Sequence, residues 1–135
     1  LERSLIIVKP DAVRRNLVGR ILSFFEEGGL RLRALRMVRL TEDRAGEFYQ
    51  VHKGKPFYDK LKAYISSGEI VAAVVDGDNA IRRVREICGA TDPASAAEGT
   101  VRAAFGINVT MNSVHASDSP ASAVVEIRFF FPHLD

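Results

Sequence analysis

The chain holds one cysteine, Cys88, among 135 residues. No disulfide can form within it and no cysteine cluster can hold a metal, which suits a reducing cytosol. Long apolar runs are missing too. The longest, Ile70 to Val75, is far too short to span a bilayer. No basic-then-apolar leader opens the sequence, so the expectation is a cytoplasmic protein with no membrane partner. Neither Gly-x-x-x-x-Gly-Lys-Ser/Thr nor Gly-x-Gly-x-x-Gly occurs, so any phosphate bound here is held without a glycine-rich cradle. His, Cys and acidic residues do not fall at metal-ligand spacing, which argues against a protein-held metal centre. Excess charge is also small, at +2, but its positive part is clustered. Arg31, Arg33, Arg36 and Arg39 form one group, and Arg82, Arg83 and Arg85 another. Such groups fit a polyanion, nucleic acid or nucleotide; the plainer alternative is a solvated face.

What is present suffices for one domain, residues 1–135, burying roughly two-thirds of the surface its unfolded chain exposes. Ser4-Leu5-Ile6-Ile7-Val8 predicts a buried strand. Val18, Ile21, Leu22 and Phe25 recur at helical spacing, and Gly28-Gly29 ends that helix. Leu30 to Leu40 alternates apolar residues with arginine, a half-buried strand whose parity slips at Ala34-Leu35 as a bulge would make it. Thr41 caps a helix carrying Ala45, Phe48 and Tyr49, with Glu42 and Asp43 in its first turn. A second short helix starts near Pro56 and carries Leu61 and Tyr64. Glu69 to Asp76 predicts the third strand, and Asp78 the cap of a helix with Ala80, Val84, Ile87 and Cys88 on one face. Gly89 to Met111 shows no period and predicts a long functional loop, packed in part through Phe105 and Ile107. A short fourth strand holds His115. Ser119 as cap and Pro120 at the first helical position then open a last helix, with Ala123, Ile127 and Phe130 inward. This order predicts an α+β fold, a small antiparallel sheet covered by helices.

The chemistry centres on Asn112-Ser113-Val114-His115-Ala116-Ser117-Asp118. Of three histidines, His52 and His133 read as solvated, whereas His115 sits on a short extended piece among small residues that leave room for a substrate. Neutral imidazole has a free lone pair near pH 7, which suits it as a nucleophile toward phosphorus. Its other nitrogen then needs an acceptor, and Glu126 on the following helix is the best-placed carboxylate. The competing reading is a half-buried histidine hydrogen-bonded at a strand end. Lys9, Arg85, Thr91 and Arg102 are candidate phosphate holders, since Arg presents forked donors and Lys a compact charge. Magnesium carried in by phosphates needs only one or two protein contacts, to which Asp118 could add one through water.

Five blocks carry a resemblance to a known family: Ile7-Val8-Lys9-Pro10-Asp11-Ala12-Val13, Lys55-Pro56-Phe57-Tyr58, Gly89-Ala90-Thr91-Asp92-Pro93, Gly99-Thr100-Val101-Arg102 and the histidine segment. In this order and spacing, the whole chain resembles the nucleoside diphosphate kinase family. The resemblance implies a ferredoxin-like βαββαβ core with a four-stranded antiparallel sheet, a magnesium requirement and a homo-oligomer, tetramer or hexamer. It implies that His115 takes the γ-phosphoryl group of a nucleoside triphosphate and gives it to a nucleoside diphosphate, in a ping-pong cycle through phosphohistidine. Glu126 would orient the ring. Lys9, Tyr49 and Asn112 would lie near the sugar hydroxyls and the transferred phosphoryl, and Arg85, Thr91 and Arg102 on the other phosphates. Phe57 would stack the base, with Leu61 and Val109 beside it; on residues alone, Phe57 after a proline reads as core. Stacking accepts any base, which implies broad base tolerance. Ala116 stands where glycine often follows the histidine, and narrows the approach to it.

Two other classes compete. A nucleic-acid-binding module would use the basic clusters and exposed sheet aromatics, but Phe105, Phe129, Phe130 and Phe131 fall in the loop or last helix. Nucleic acid is therefore not expected as the main partner. A non-catalytic relative would have lost the histidine or a phosphate-holding arginine, and this chain keeps both.

Overall fold

The run of apolar residues near the start forms a central strand, β1 (Glu2–Val8), in the computed structural model, which describes residues 1–135. It lies between β3 (Ile70–Gly77) and β4 (Val114–Ala116), with β2 (Arg31–Val38) outside β3. The order is β2-β3-β1-β4 and every neighbouring pair is antiparallel. Helices cover both faces, which is why β1 and β3 read as continuous apolar runs rather than alternating ones.

Side-chain alternation divides the interior in two. Ile6, Val8, Val71, Ala73 and Val75 face α2 (Val18–Glu27) and α5 (Ala80–Cys88), meeting Ile21, Leu22, Phe25, Ala80, Val84 and Cys88. Leu5, Ile7, Ile70, Ala72 and Val74 face the other way. There they meet Ala45 of α3 (Glu42–Phe48), Tyr49, Ile65 of α4 (Tyr58–Ile65) and Phe130 of α7 (Pro120–Phe130). Each fully buried Ile, Val or Phe contributes roughly 1.5–3 kcal/mol by leaving water. The register of β4 decides where the chemistry goes. Val114 pairs with Val8, His115 with Ile7 and Ala116 with Ile6. His115 is therefore sent to the α3 and α7 face while its neighbours enter the opposite core. A slip of one residue would exchange the two faces and put the imidazole in the opposite apolar core.

Expected caps are found at Thr41, whose hydroxyl accepts from Arg44 N–H, and at Ser119, whose hydroxyl accepts from Ser122 N–H ahead of Pro120. The cap predicted at Asp78 is not. The helix begins after Asn79, which sits in the left-handed region at φ 55° and makes no side-chain cap. The bulge lies one step earlier than the parity slip suggested. Register shifts between Leu32 and Ala34, so Arg33 is the extra residue, and its Nε lies 3.3 Å from the Asp76 carboxylate.

The stretch from Gly89 to Met111 is more ordered than its lack of period predicts. It contains a 3₁₀ turn at Pro93–Ser95 and a helix, α6 (Val101–Phe105). Asp92 and Thr100 cap them, accepting from Ala94 N–H and Ala103 N–H. A five-residue helix is too short to show a hydrophobic period. Phe105 packs against the first core as expected, whereas Ile107 is 54% exposed. A further short helix, α1 (Pro10–Arg14), follows β1 directly and starts on Pro10, whose ring pre-sets the first helical residue.

Candidate active site

The C-terminal ends of β1 and α5, the loop around α6 and the facing sides of α3 and α7 enclose a cavity of about 290 Å³. His115 projects into it from β4 and is about one-fifth exposed. Its Nε2 lies 2.8 Å from Glu126 Oε1, and Ser117 Oγ donates to the same oxygen at 2.9 Å. Ser117 is itself fixed on β1, accepting from Leu5 N–H at 3.1 Å. A carboxylate against Nε2 places the proton there and leaves Nδ1 with the lone pair. The Phe48 ring stands edge-on to the imidazole at 5.4 Å, an apolar wall that limits its rotation.

Lys9 reaches the cavity from the N-cap of α1 and is only 6% exposed. Its Nζ donates to Thr110 C=O and to Asn112 Oδ1, both at 2.9 Å. Burial pulls its pKa down to about 8, with Asp11 opposing the change and Arg102 adding to it. Asn112 Nδ2 in turn donates to the carbonyls of Thr91 and Val109. Arg102 spreads its fork over two backbone carbonyls, Gly89 and Val114, each at 2.8 Å. It is thus a brace between α5, α6 and β4 as well as a cation on the cavity wall; burial lowers its pKa, yet an arginine stays protonated. Arg85, in the last turn of α5, and Thr91 are exposed on the same wall. Asp118 completes the rim. The Ser122 hydroxyl, above all, holds its carboxylate below the usual range against the opposing effect of burial, helped by Ser119, Arg85 and His115. Tyr49 is buried, and that burial, with Glu126 nearby, keeps its phenol protonated.

A nucleophile, an oriented proton acceptor and three cations around one cleft are the parts of a phosphoryl-transfer site. The comparisons with known proteins agree. The family model for nucleoside diphosphate kinase matches residues 2–135.

The chain belongs to the nucleoside diphosphate kinase family. The nucleoside diphosphate kinase of Persephonella marina is 56% identical over 135 residues, spanning 100% of this chain and 96% of its own. That of Ruegeria pomeroyi is 51% identical over the same 135 residues and the same shares. The solved nucleoside diphosphate kinase of Aquifex aeolicus superposes with a TM-score of 0.96 at 50% identity, over 98% of this chain and 96% of that one. A halophilic one from Halobacterium salinarum, in complex with CDP, reaches a TM-score of 0.92 at 40% identity, over 96% and 87%. The fold is the expected α+β ferredoxin-like one, and the activity is that of a phosphotransferase acting between nucleotides.

Of the twelve candidate site residues, the fold gathers eleven on one cavity: Lys9, Tyr49, Leu61, Arg85, Thr91, Arg102, Val109, Asn112, His115, Asp118 and Glu126. Phe57 is the exception. It is 45% exposed and stands outside the lining, its ring 5.2 Å from that of His52. His52 corrects the reading of a solvated side chain: it is half-buried, lines the cavity, and has a buried Nδ1 with no hydrogen-bond partner. It lies three residues after Tyr49 across the 3₁₀ turn Gln50–His52, and that spacing brings both side chains to one side. His133 is exposed, as expected. Phe48, Ser117 and Ser122 are further site residues which their sequence context did not distinguish from core or cap positions.

Proposed function

We propose that this protein, as a single domain over residues 1–135, transfers a γ-phosphoryl group from a nucleoside triphosphate, typically ATP, to a nucleoside diphosphate through His115. The observation that carries this reading is the 2.8 Å contact between His115 Nε2 and Glu126, which leaves Nδ1 as the nucleophilic nitrogen. In the first half-reaction the Nδ1 lone pair forms a bond to the γ-phosphorus as the bond to the bridging oxygen breaks, and the diphosphate leaves. Positive charge grows on the ring, and the Glu126 carboxylate offsets it. The second half-reaction reverses these bonds with a new diphosphate as acceptor.

Lys9 and Asn112 are placed in this proposal at the transferred phosphoryl and sugar, with the Tyr49 phenol donating beside them. Arg85, Thr91 and Arg102 neutralise the remaining phosphates. Little else is needed, because phosphoryl transfer depends mainly on positioning and charge. The base lies between Phe57, Leu61 and Val109. The exposed face of Phe57 supports stacking, which accepts any base and gives broad tolerance. CDP in the Halobacterium salinarum relative is consistent with a pyrimidine at such a site.

Magnesium fits the donors present. No group of three or more His, Cys, Asp or Glu is gathered anywhere. A hard ion that keeps most of its waters, held chiefly by nucleotide phosphates, asks for no more than the Asp118 carboxylate through water. Bound there it would supply charge neutralisation of the phosphates.

We also place the protein in the cytoplasm, where a lone buried Cys88 stays reduced, and as a homo-oligomer, tetramer or hexamer. The edge strand β2 supports assembly: its outer ladder is unpaired, and Leu35 and Met37 are 56% and 53% exposed. Initial rates with ATP and a diphosphate acceptor test the cycle. Parallel double-reciprocal lines are expected, and intersecting lines would require a ternary complex and contradict it.

A further inference from the structure

Asp11 has no part in the proposed chemistry, yet it is a carboxylate only 3% exposed. No Lys or Arg nitrogen lies within ion-pair distance of it, an arrangement that is costly unless hydrogen bonds replace water. They do. Tyr64 OH donates to Oδ1 at 2.7 Å, Ser113 N–H donates to Oδ2 at 3.2 Å, and Asp11 N–H donates back to the Tyr64 oxygen at 2.8 Å. Both oxygens and the amide are satisfied across three separate elements: α1, α4 and the turn before β4.

That turn is strained. Ser113 has φ 75°, in the left-handed region, and its hydroxyl is buried without a partner. It separates Asn112, which binds Lys9, from the strand carrying His115, and its carbonyl accepts from Lys9 N–H at 2.9 Å. Lys9 Nζ also lies 5.8 Å from the centre of the Tyr64 ring. The charged and titratable groups around Lys9 are therefore Asp11 on α1, Tyr64 on α4 and Arg102 on α6, with Asn112 and the Thr110 carbonyl on the loop; Arg14 of α1 acts on Tyr64.

We propose that Asp11 and Tyr64 are positioning residues for phosphoryl transfer: together they hold the Ser113 turn in place and keep a negative charge beside Lys9, so that Lys9 meets phosphate protonated. This rests on the reading of His115 and Lys9 given above. A neutral group at position 11 could hold the turn equally well, so the retained charge is what distinguishes the role. Asp11→Asn isolates it. An asparagine oxygen can accept from Ser113 N–H, so the turn keeps its acceptor without the charge, while the Tyr64 hydroxyl loses its acceptor, a loss that Tyr64→Phe reproduces with the charge in place. Tyr64→Phe does the reverse, keeping the charge and removing the hydroxyl that fixes it.

The experiment is the pH profile of kcat/KM and kcat with ATP and GDP for the parent enzyme and both variants. Removing the opposite charge of Asp11 should move the alkaline limb of Asp11→Asn down by about 1 pH unit. Tyr64→Phe should leave that limb in place and lower kcat more than it changes KM. A folded Asp11→Asn enzyme with the parental profile overturns the electrostatic role. A Tyr64→Phe enzyme with parental kcat and KM overturns the positioning role, whether or not Asp11→Asn folds. Failure of the underlying reading is separate: the parent itself would then take no phosphoryl label from ATP.

Discussion

Glu126 Oε1 lies 2.8 Å from His115 Nε2 and also accepts the Ser117 hydroxyl. The pair joins the last helix to the shortest strand and determines which ring nitrogen is free. In the proposed cycle it divides the roles in phosphohistidine formation, with one nitrogen bonding to phosphorus and the other keeping its proton against a carboxylate. Glu126→Gln keeps the size but removes the charge that offsets the growing imidazolium. Turnover should fall about 10²-fold or more with little change in KM, on the scale of losing one group that acts in the transition state. Steady-state kinetics check it, and a rise in KM at constant kcat would assign Glu126 to binding instead.

In the proposed cycle Lys9 sets an alkaline limit on activity. Its pKa is about 8 against an ordinary 10.5, so the free enzyme loses that cation as pH passes 8. The profile of kcat/KM, which reports the free enzyme, should fall on the alkaline side with a midpoint near 8. In kcat the midpoint should lie higher, because bound phosphates favour the ammonium. Stability moves the other way. Between pH 8 and 10.5 the unfolded chain binds the proton more tightly than the folded one, so unfolding free energy rises with pH across that window. The full penalty, about 3 kcal/mol, is present below pH 8 and is relieved toward 10.5. Lys9→Met should abolish this contribution in denaturation experiments at pH 7 and 10.

Arg102 is a brace in the fold and, in the proposed cycle, a phosphate cation, and a pair of measurements separates the two. Arg102→Ala should lower turnover about 10²-fold or more by removing charge at the phosphates. It should also lower stability by about 3 kcal/mol, since the buried carbonyl of Val114 and the half-buried one of Gly89 lose their donor. Denaturant titration reads the second effect without nucleotide. An unchanged rate would remove Arg102 from the site, and unchanged stability would mean that the brace is replaced by water.

The parts of the fold that could be read from sequence were those with a long enough pattern. β1 and β3 carry unbroken apolar runs, and α2 and α5 carry four apolar positions each at helical spacing. α1 and α6, at 5 residues each, carry no period, although the Thr100 cap was a visible signal for α6. The left-handed start at Asn79 replaced the Asp78 cap because backbone conformation, not side-chain type, ends the strand there. In the site, cations and the histidine were recognisable by type and by family motif. Contacts across the chain were not: Asp11 and Tyr64 lie 53 positions apart, and only the packing of α1 on α4 brings them together. A histidine followed by Lys53-Gly54-Lys55 looks solvated, and only the 3₁₀ turn that brings His52 beside Tyr49 shows otherwise.

In the proposed cycle His115 carries the phosphoryl group between two nucleotides. Incubation with γ-labelled ATP, followed by acid and alkali treatment and a chase with GDP, tests it most directly. A phosphoprotein is expected that is acid-labile and alkali-stable, discharges on GDP, and never forms in His115→Ala. Label retained by His115→Ala, or label that resists GDP, would contradict it.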